Sequence, residues 1–200
     1  MLKIAIILGS TRPGRNGEAV AHWVHAQARK RRDAQYDLVD LKDVNLPLLD
    51  EPVPPAFHKY SKPHTQQWSA RIAGYDGFVF VTAEYNHGIP AALKNAIDFL
   101  FDEWHHKAAG FVSYGSAGGV RAVEHLRGVM GEIMVADVRQ QVQLLLDTDF
   151  EDYTRFKADP KHEKPLSILF DQVVLWAGAL KPLRQQKDKR GAKVPVEEEA

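Results

Sequence analysis

Apolar residues are concentrated in five short runs along the chain, and between these runs they recur with the spacing of amphipathic helices. The runs are rich in β-branched and aromatic residues and are short enough to be strands. They comprise residues 2–8, 36–41, 77–83, 108–116 and a weaker fifth run at 136–146. Helical spacing covers roughly residues 17–32, 64–74, 91–102, 119–134 and 165–180. This alternation of strands and helices predicts an α/β fold with a parallel sheet.

The predicted strands differ in how completely they are apolar. The first and third, "LKIAIIL" and "GFVFVTA", are apolar almost throughout, which is typical of central strands that helices cover on both faces. The second, "YDLVDL", alternates between apolar and polar residues and suits the edge of a sheet. We expect a doubly wound, five-stranded parallel sheet with the common strand order 2-1-3-4-5, in which strands 1 and 3 are central and strand 2 lies at an edge.

Three segments show no clear periodicity. Residues 43–55 contain several prolines and are expected to form an irregular surface loop. Residues 147–165 are mostly polar and predict a further loop. Residues 185–200 combine many charges with no apolar period, which indicates a disordered tail. The sequence thus predicts one domain over residues 1–184, followed by this tail.

Composition limits the chemistry that the chain can perform. It has no cysteine, which excludes disulfides, thiolate nucleophiles and Cys-ligated metal centres and suits a reducing compartment. Lys and Arg total 26, as do Asp and Glu, so no overall charge attracts nucleic acid. The apolar runs are shorter than a membrane span, and the N-terminus has no signal-peptide pattern. We expect a soluble, cytoplasmic protein.

The segment "GSTRPGRN", residues 9–16, lies between the first strand and the first helix and predicts an anion site. It resembles the nucleotide-triphosphate loop, but Arg15 replaces the lysine and Asn16 replaces the hydroxyl that would hold magnesium. The dinucleotide fingerprint GxGxxG is absent. The remaining donors, on Ser10, Thr11, Arg12, Arg15 and Asn16, suit one terminal phosphate without a metal, such as that of flavin mononucleotide (FMN). The alternative is an ordinary strand-to-helix turn with solvated arginines.

A second polar loop follows the third strand. In "VTAEYNHGIPAALKNAIDFL", residues 81–100, the chain is expected to present Glu84, Tyr85 and Asn86, to turn at Gly88 and to enter a helix at Pro90. In the expected strand order, strands 1 and 3 flank the topological switch point, so this loop and residues 9–16 should face one crevice. One loop would then bind the tail of a ligand and the other its ring.

A third loop, "YGSAGGVRA" at residues 114–122, follows the fourth strand. Its small residues would let the backbone approach a flat ligand closely. It is not the nucleophile elbow GxSxG, because Tyr114 stands at the first glycine position. The sequence therefore offers no esterase nucleophile here. Glu103, His105 and His106 match no standard ligand spacing, so we expect no metal site.

These three motifs resemble the NADPH-dependent FMN reductase family, which includes flavodoxin-like quinone and azo reductases, and the resemblance covers about residues 2–180. It implies FMN as cofactor, NADPH or NADH as co-substrate, and a homodimer or homotetramer with helix 91–102 and Trp104 near the interface. The residues it assigns to the FMN phosphate are Ser10, Arg12, Arg15 and Asn16. Those it places around the isoalloxazine ring are Glu84, Tyr85, Asn86, Gly88, Gly115 and Ser116.

The expected activity is a hydride transfer from NAD(P)H through the flavin to a quinone or similar acceptor, with donor and acceptor using one face in turn. No side chain need act as a catalytic acid or base. A non-enzymatic flavodoxin-like electron carrier is the alternative, although the balanced charge argues against the acidic docking surface typical of carriers. A phosphate-binding module without flavin is a third possibility.

Overall fold

The computed structural model describes residues 1–191 and contains a five-stranded parallel sheet with strand order β2-β1-β3-β4-β5. Its strands are β1 (Leu2–Leu8), β2 (Ala34–Asp40), β3 (Gly77–Ala83), β4 (Lys107–Gly115) and β5 (Val135–Leu145). This confirms the expected flavodoxin-like α/β fold and its strand order. All seven residues of β3 are buried, and β2 lies at an edge with alternating burial, as the sequence patterns predict.

Helices cover both faces of the sheet. They are α1 (Gly17–Ala28), the short α2 (Leu41–Val44), α3 (Pro63–Ala73), α4 (Ala91–Asp98), α5 (Val120–Glu132) and α6 (Glu163–Gly191). Helices α1 and α6 bury Val24 and Leu169 against one face, together with Ile6 of β1. Helices α3, α4 and α5 bury side chains such as Trp68 against the other face, together with Ile7 of β1. Successive residues of β1 therefore contribute to two separate cores.

Two helices are shorter than the sequence predicts. Helix α1 ends at Ala28 instead of residue 32, because the chain must reverse before β2 begins at Ala34. Helix α4 ends at Asp98 instead of residue 102, because Phe99 and Trp104 turn inward and are fully buried. Trp104 donates a hydrogen bond from Nε1 to the carbonyl of Ile97 (3.1 Å), so it belongs to the core and not to a surface interface.

The segment predicted as a polar loop, residues 147–165, contains a short antiparallel hairpin, β6 (Phe150–Glu151) and β7 (Arg155–Phe156). Phe150 is buried, and Phe156 packs edge-on against Trp23 of α1 with a ring-centroid distance of 5.5 Å. Asp149 anchors the base of the hairpin through His162 Nε2 (2.8 Å). Burial would raise the pKa of Asp149, but the contact with His162 and neighbouring donors lower it to about 2. The two phenylalanines, hidden in a polar segment, account for the missed hairpin.

Helix α6 is much longer than the predicted 165–180. It runs from Glu163 to Gly191, because the charged residues after 184 include strong helix formers and the next glycine is Gly191 itself. The predicted disordered tail, residues 185–200, thus begins inside this helix, and residues 192–200 lie outside the described residues. By length and composition, Pro160–Gln185 would suit a bilayer span, yet its inner face, with Leu169 and Val173, is part of the core.

Candidate functional site

Residues 9–16, here called the phosphate loop, connect the carboxyl end of β1 to the amino end of α1. The Gly9 N–H donates to the carbonyl of Val81 at the end of β3 (2.9 Å), which fixes the start of the loop beside the neighbouring strand. The Arg15 N–H donates to the Arg12 carbonyl (3.2 Å), and Gly14 takes a positive φ of 67° within this turn. The loop therefore folds tightly over the switch point between β1 and β3.

The amino terminus of α1 has no side-chain cap. Asn16 stands at the N-cap position, where its carboxamide would normally accept from the first helical N–H groups. Its Nδ2 instead donates to the carbonyl of Tyr153, at the tip of the β6–β7 hairpin (2.7 Å). Among the described residues, the backbone N–H groups of Thr11, Gly14 and Asn16 make no hydrogen bond. Open N–H groups at a helix start can bind an anion, so this loop has the donors that the predicted anion site needs.

The two arginines of the phosphate loop have different environments. Arg12 is exposed, and its guanidinium lies 5.9 Å from the centre of the Tyr85 ring. The side chain of Arg15 is only 4% exposed, forms an ion pair with Asp40 at the end of β2, and donates from Nη1 to the Ser10 carbonyl (2.8 Å). Arg12 is thus open to a ligand, whereas Arg15 braces the loop from behind. The sequence assigned both to the phosphate, and this structure directs Arg15 elsewhere.

Residues 84–88, here called the ring loop, form a tight two-residue turn after β3. Tyr85 and Gly88 exchange two backbone hydrogen bonds of 2.9 and 3.0 Å. Asn86 and His87 between them have positive φ values of 49° and 67°, the pattern of a type I′ turn. The turn is therefore centred on Asn86 and His87. The sequence analysis had placed it at Gly88, which instead closes the turn. Both central side chains are exposed at its tip.

Glu84 binds the amino end of α5. Its carboxylate accepts from Arg121 Nε (2.6 Å), from the Arg121 N–H (3.1 Å) and from the Ala122 N–H (3.4 Å). Burial would raise the pKa of Glu84, but these hydrogen bonds outweigh it and hold the pKa below its ordinary value. Arg121 also contacts His87 at the tip of the ring loop. Glu84 therefore fixes the ring loop to α5, and its oxygens are not free for a ligand.

One hydrogen bond joins the two loops directly. Ser10 Oγ and Tyr85 Oη lie 2.8 Å apart, across a sequence separation of 75 residues. Ser10 is fully buried, whereas Tyr85 is half-buried beneath the exposed Arg12. The contact confirms that the loops after β1 and β3 face one crevice, as the strand order predicts.

The loop after β4 borders the same edge of the sheet. Gly115 is buried and Ser116 is exposed, while Gly118 and Gly119 adopt positive φ values of 68° and 73°. The Gly118 carbonyl accepts from Ser113 Oγ (2.6 Å), which holds this turn close to β4. A Cβ at Gly119 would come within 2.7 Å of Ser113 Cβ, so glycine lets this turn pack directly against β4.

Four residues that the sequence analysis missed support the site. Asp40 pairs with Arg15, Arg121 holds Glu84, and the carbonyl of Tyr153 takes up Asn16. Tyr114 is buried behind the phosphate loop, and a Cβ at position 17 would come within 2.5 Å of its hydroxyl, so only glycine fits there. Asp40 lies in the predicted second strand, 36–41, and Arg121 lies in the motif at 114–122, but no local signal pairs them with residues far along the chain.

Comparison with known proteins agrees with this geometry. The sequence profile of the NADPH-dependent FMN reductase family matches residues 2–150. An NAD(P)H-dependent FMN reductase of Nectria sp is 42% identical over 151 residues, covering 72% of this chain and 75% of its own. A 2-hydroxy-1,4-benzoquinone reductase of Burkholderia sp is 32% identical over 146 residues, covering 70% and 75%.

A solved structure has the same fold. The flavoenzyme NAD(P)H:(acceptor) oxidoreductase FerB of Paracoccus denitrificans aligns with a TM-score of 0.70 and 19% sequence identity, over 90% of this chain and 98% of that one. The profile match spans most of the chain and includes the phosphate loop, the ring loop and the loop after β4. The chain belongs to the NADPH-dependent FMN reductase family.

Proposed function

We propose that this NAD(P)H-dependent oxidoreductase, with FMN as its cofactor, delivers electrons to a quinone or a similar flat acceptor by a ping-pong mechanism. The observation that carries the proposal is the hydrogen bond between Ser10 and Tyr85, because it joins a monophosphate-sized anion site to a loop suited to a ring. Family membership supports the cofactor and the electron donor.

The donors of the phosphate loop fit the FMN phosphate. Three backbone N–H groups of the loop make no hydrogen bond, and the positive end of the α1 dipole adjoins them, so the loop could hold a monoester dianion. The exposed Arg12 guanidinium adds a charge-assisted donor. In this assignment Arg12 contacts the phosphate, while the fully buried Ser10 ties the loop to Tyr85 through its hydroxyl. Arg15 holds the Ser10 carbonyl and so the shape of the loop. Asn16 contributes its backbone N–H, because its side chain is bound to the hairpin.

The ring loop and the loop after β4 suit the isoalloxazine ring. When bound, FMN supplies the two-electron chemistry that this cysteine-free chain lacks. Tyr85 and Asn86 would hold one edge of the ring, while Gly115 and Ser116 would offer backbone N–H groups to the carbonyl edge, where negative charge accumulates on reduction. Glu84 keeps this arrangement rigid through Arg121, and Gly88 closes the turn. No side chain is required to donate or accept a proton.

If the loops hold the ring by its edges, donor and acceptor would use its remaining open face in turn. This shared use supports a ping-pong sequence, in which NAD(P)+ leaves before the acceptor binds. A flat acceptor suits such a face, and the relative named for a benzoquinone substrate supports a quinone. We place the enzyme in the cytoplasm as a homo-oligomer. The apolar groove between α4 and α5, lined by Ile97, Phe101 and Val129, supports contact with another subunit.

The test uses purified full-length protein reconstituted with FMN. We expect about one FMN per chain, with weaker binding of FAD, since the chain has one monophosphate loop and no dinucleotide fingerprint. NADPH added under nitrogen should bleach the flavin absorbance, and a benzoquinone added afterwards should restore it. Double-reciprocal plots of initial rate against NADPH concentration, measured at several fixed quinone concentrations, should give parallel lines. Intersecting lines would indicate a ternary complex and contradict a shared face, and a bleached flavin that quinone fails to reoxidise would contradict the proposed acceptor.

A further inference from the structure

The outer face of α6 is apolar as well as its inner face. Leu169 and Val173 are fully buried against the sheet, whereas Leu175 is 69% exposed, Trp176 47%, Leu183 45% and Ile168 36%. A helix that is apolar all round is normally buried on every side. Contiguous exposed apolar side chains of this size indicate a contact surface.

No charged residue interrupts this outer face between Asp171 and Gln185. Its exposed residues in that interval are Leu175, Trp176, Gly178, Ala179, Pro182 and Leu183. The two cations of the interval turn inward, since Lys181 (3.1 Å) and Arg184 both bind Asp76 beside β3. Arg184 also donates to the His106 carbonyl (2.5 Å). The charges that could keep this surface in water are therefore held on its inner side.

The large exposed side chains are spaced symmetrically. Ile168 lies seven residues before Leu175, and Leu183 lies seven residues after Trp176. A two-fold axis between positions 175 and 176 would therefore place Leu175 of one antiparallel helix against Trp176 of the other, and Ile168 against Leu183. An isologous interface requires this self-complementarity. An unrelated partner or a lipid surface would give no reason for it.

The size of the surface suits a reversible contact. The four large side chains together expose roughly 400 Å² of apolar surface per copy, so pairing two copies would bury roughly 800 Å² from them alone. The exposed small residue Ala179, four residues after Leu175, lets two helices approach closely. The total lies near the lower limit for specific interfaces, about 1,200 Å². Association is therefore expected to depend on concentration in the micromolar range.

We propose that the outer face of α6, Ile168–Leu183, is an interface with a second copy of this chain, in which two α6 helices pack antiparallel about a two-fold axis at Leu175 and Trp176. The proposal does not depend on the proposed acceptor or mechanism. The face lies on the α1 and α6 side of the sheet, whereas the groove between α4 and α5 lies on the other side. It would therefore form a second interface between subunits, separate from any contact through that groove.

Site-specific cross-linking tests the symmetry, because the natural chain has no cysteine. Leu175→Cys and Trp176→Cys each place one thiol beside the expected axis, within reach of its copy. Mild oxidation of the FMN-loaded protein at micromolar concentration should give a covalent dimer several-fold faster than Asp43→Cys, an exposed position on α2 beside the opposite face. Equal cross-linking rates at positions 175 and 43 would overturn the proposal.

Sedimentation measures the contact without cross-links. A Leu175→Glu/Trp176→Glu double variant should weaken association at least tenfold, since each pairing would bury unpaired carboxylates. Ser167→Glu adds a charge to an exposed α6 position outside the apolar stripe and should leave association unchanged. An unchanged mass distribution for the double variant contradicts the interface. Binding of the wild type to neutral lipid vesicles, with no loss of self-association in the variant, would assign the face to lipid instead. If the double variant fails to fold, the cysteine variants decide the question.

Discussion

The phosphate loop and the ring loop lie at one edge of the sheet, but they arrange their polar groups differently. The phosphate loop leaves backbone N–H groups open and exposes Arg12, while its structural contacts lie behind it, at Arg15. The ring loop closes its backbone on itself, and its carboxylate, Glu84, is bound to α5. A site for an anion can be built from unpaired donors, whereas a site for a ring needs a rigid edge.

The comparison therefore separates residues that touch a ligand from residues that hold the loops. Each loop contains an exposed polar residue and a polar residue whose side chain is buried in an ion pair: Arg12 and Arg15 in the first, Asn86 and Glu84 in the second. Variants of the buried member should change stability most, and variants of the exposed member should change flavin affinity most. The following predictions test this division, beginning with the largest expected effect.

Arg15→Met should lower the free energy of unfolding by about 3–5 kcal/mol, because it leaves the Asp40 carboxylate without its buried partner. Urea denaturation at pH 7 measures the change. Arg15→Met/Asp40→Leu should recover much of the loss, since it removes both charges together. Arg32→Met, at an exposed position, is the control for loss of one positive charge. A loss below about 1 kcal/mol would show that the pair behaves as a surface salt bridge and does not brace the loop.

Arg12→Ala should weaken FMN binding about tenfold to a hundredfold, the equivalent of a charge-assisted hydrogen bond of roughly 1.5–3 kcal/mol. Riboflavin has the same ring and no phosphate, so its affinity should be nearly the same in wild type and variant. Calorimetric titration of the apoprotein with both ligands measures the difference. If the variant loses riboflavin and FMN affinity equally, Arg12 acts on the ring through its contact with Tyr85, and the division between the two loops fails.

Glu84→Gln should lower the free energy of unfolding by about 1–2 kcal/mol at pH 7, because the charge-assisted bonds to Arg121 and α5 weaken. The folded-state pKa of Glu84 is lowered, so its stabilising effect is complete above the ordinary glutamate pKa, about 4.3, and is lost as the pH falls below it. Denaturation curves of wild type and variant should therefore converge as the pH falls below the ordinary glutamate pKa and through the lowered folded-state pKa. A gap that stays constant over this range would argue against the carboxylate as its source. Glu132→Gln, at an exposed position, is the control.

The sequence predicted the fold well because hydrophobic pattern decides it. The uninterrupted apolar runs of β1 and β3 require cover on both faces, and the alternation in β2 requires an edge. The strand order then placed the phosphate loop and the ring loop together, which the Ser10–Tyr85 contact shows. The β6–β7 hairpin escaped prediction because its two phenylalanines find their partners on distant elements such as α1.

The sequence could not predict which residue of each loop is open to a ligand and which holds the loop in place. Arg12 and Arg15 have the same chemistry and lie three residues apart, so only the position of Asp40, at the end of another strand, distinguishes them. Asn16 has the ideal residue type for a helix cap, yet the hairpin tip at Tyr153 takes up its carboxamide. Both outcomes depend on tertiary contacts that span many residues, which local spacing does not record.

Asn86→Gly should have the smallest effect of these variants on flavin affinity, because it removes one exposed amide of the ring loop. Glycine accepts the positive φ of 49° without steric cost, so the free energy of unfolding should stay level or rise by up to about 1 kcal/mol. If the amide holds the edge of the ring, FMN and riboflavin should both bind about twofold to tenfold more weakly, by the same factor. Asn45→Gly makes the same change at the end of α2, where φ is 51° and no ring is expected, and should alter stability alone. Unchanged affinity for both flavins in Asn86→Gly would mean that the turn, and not the side chain of Asn86, positions the ring, leaving Tyr85 as the side-chain contact in this loop.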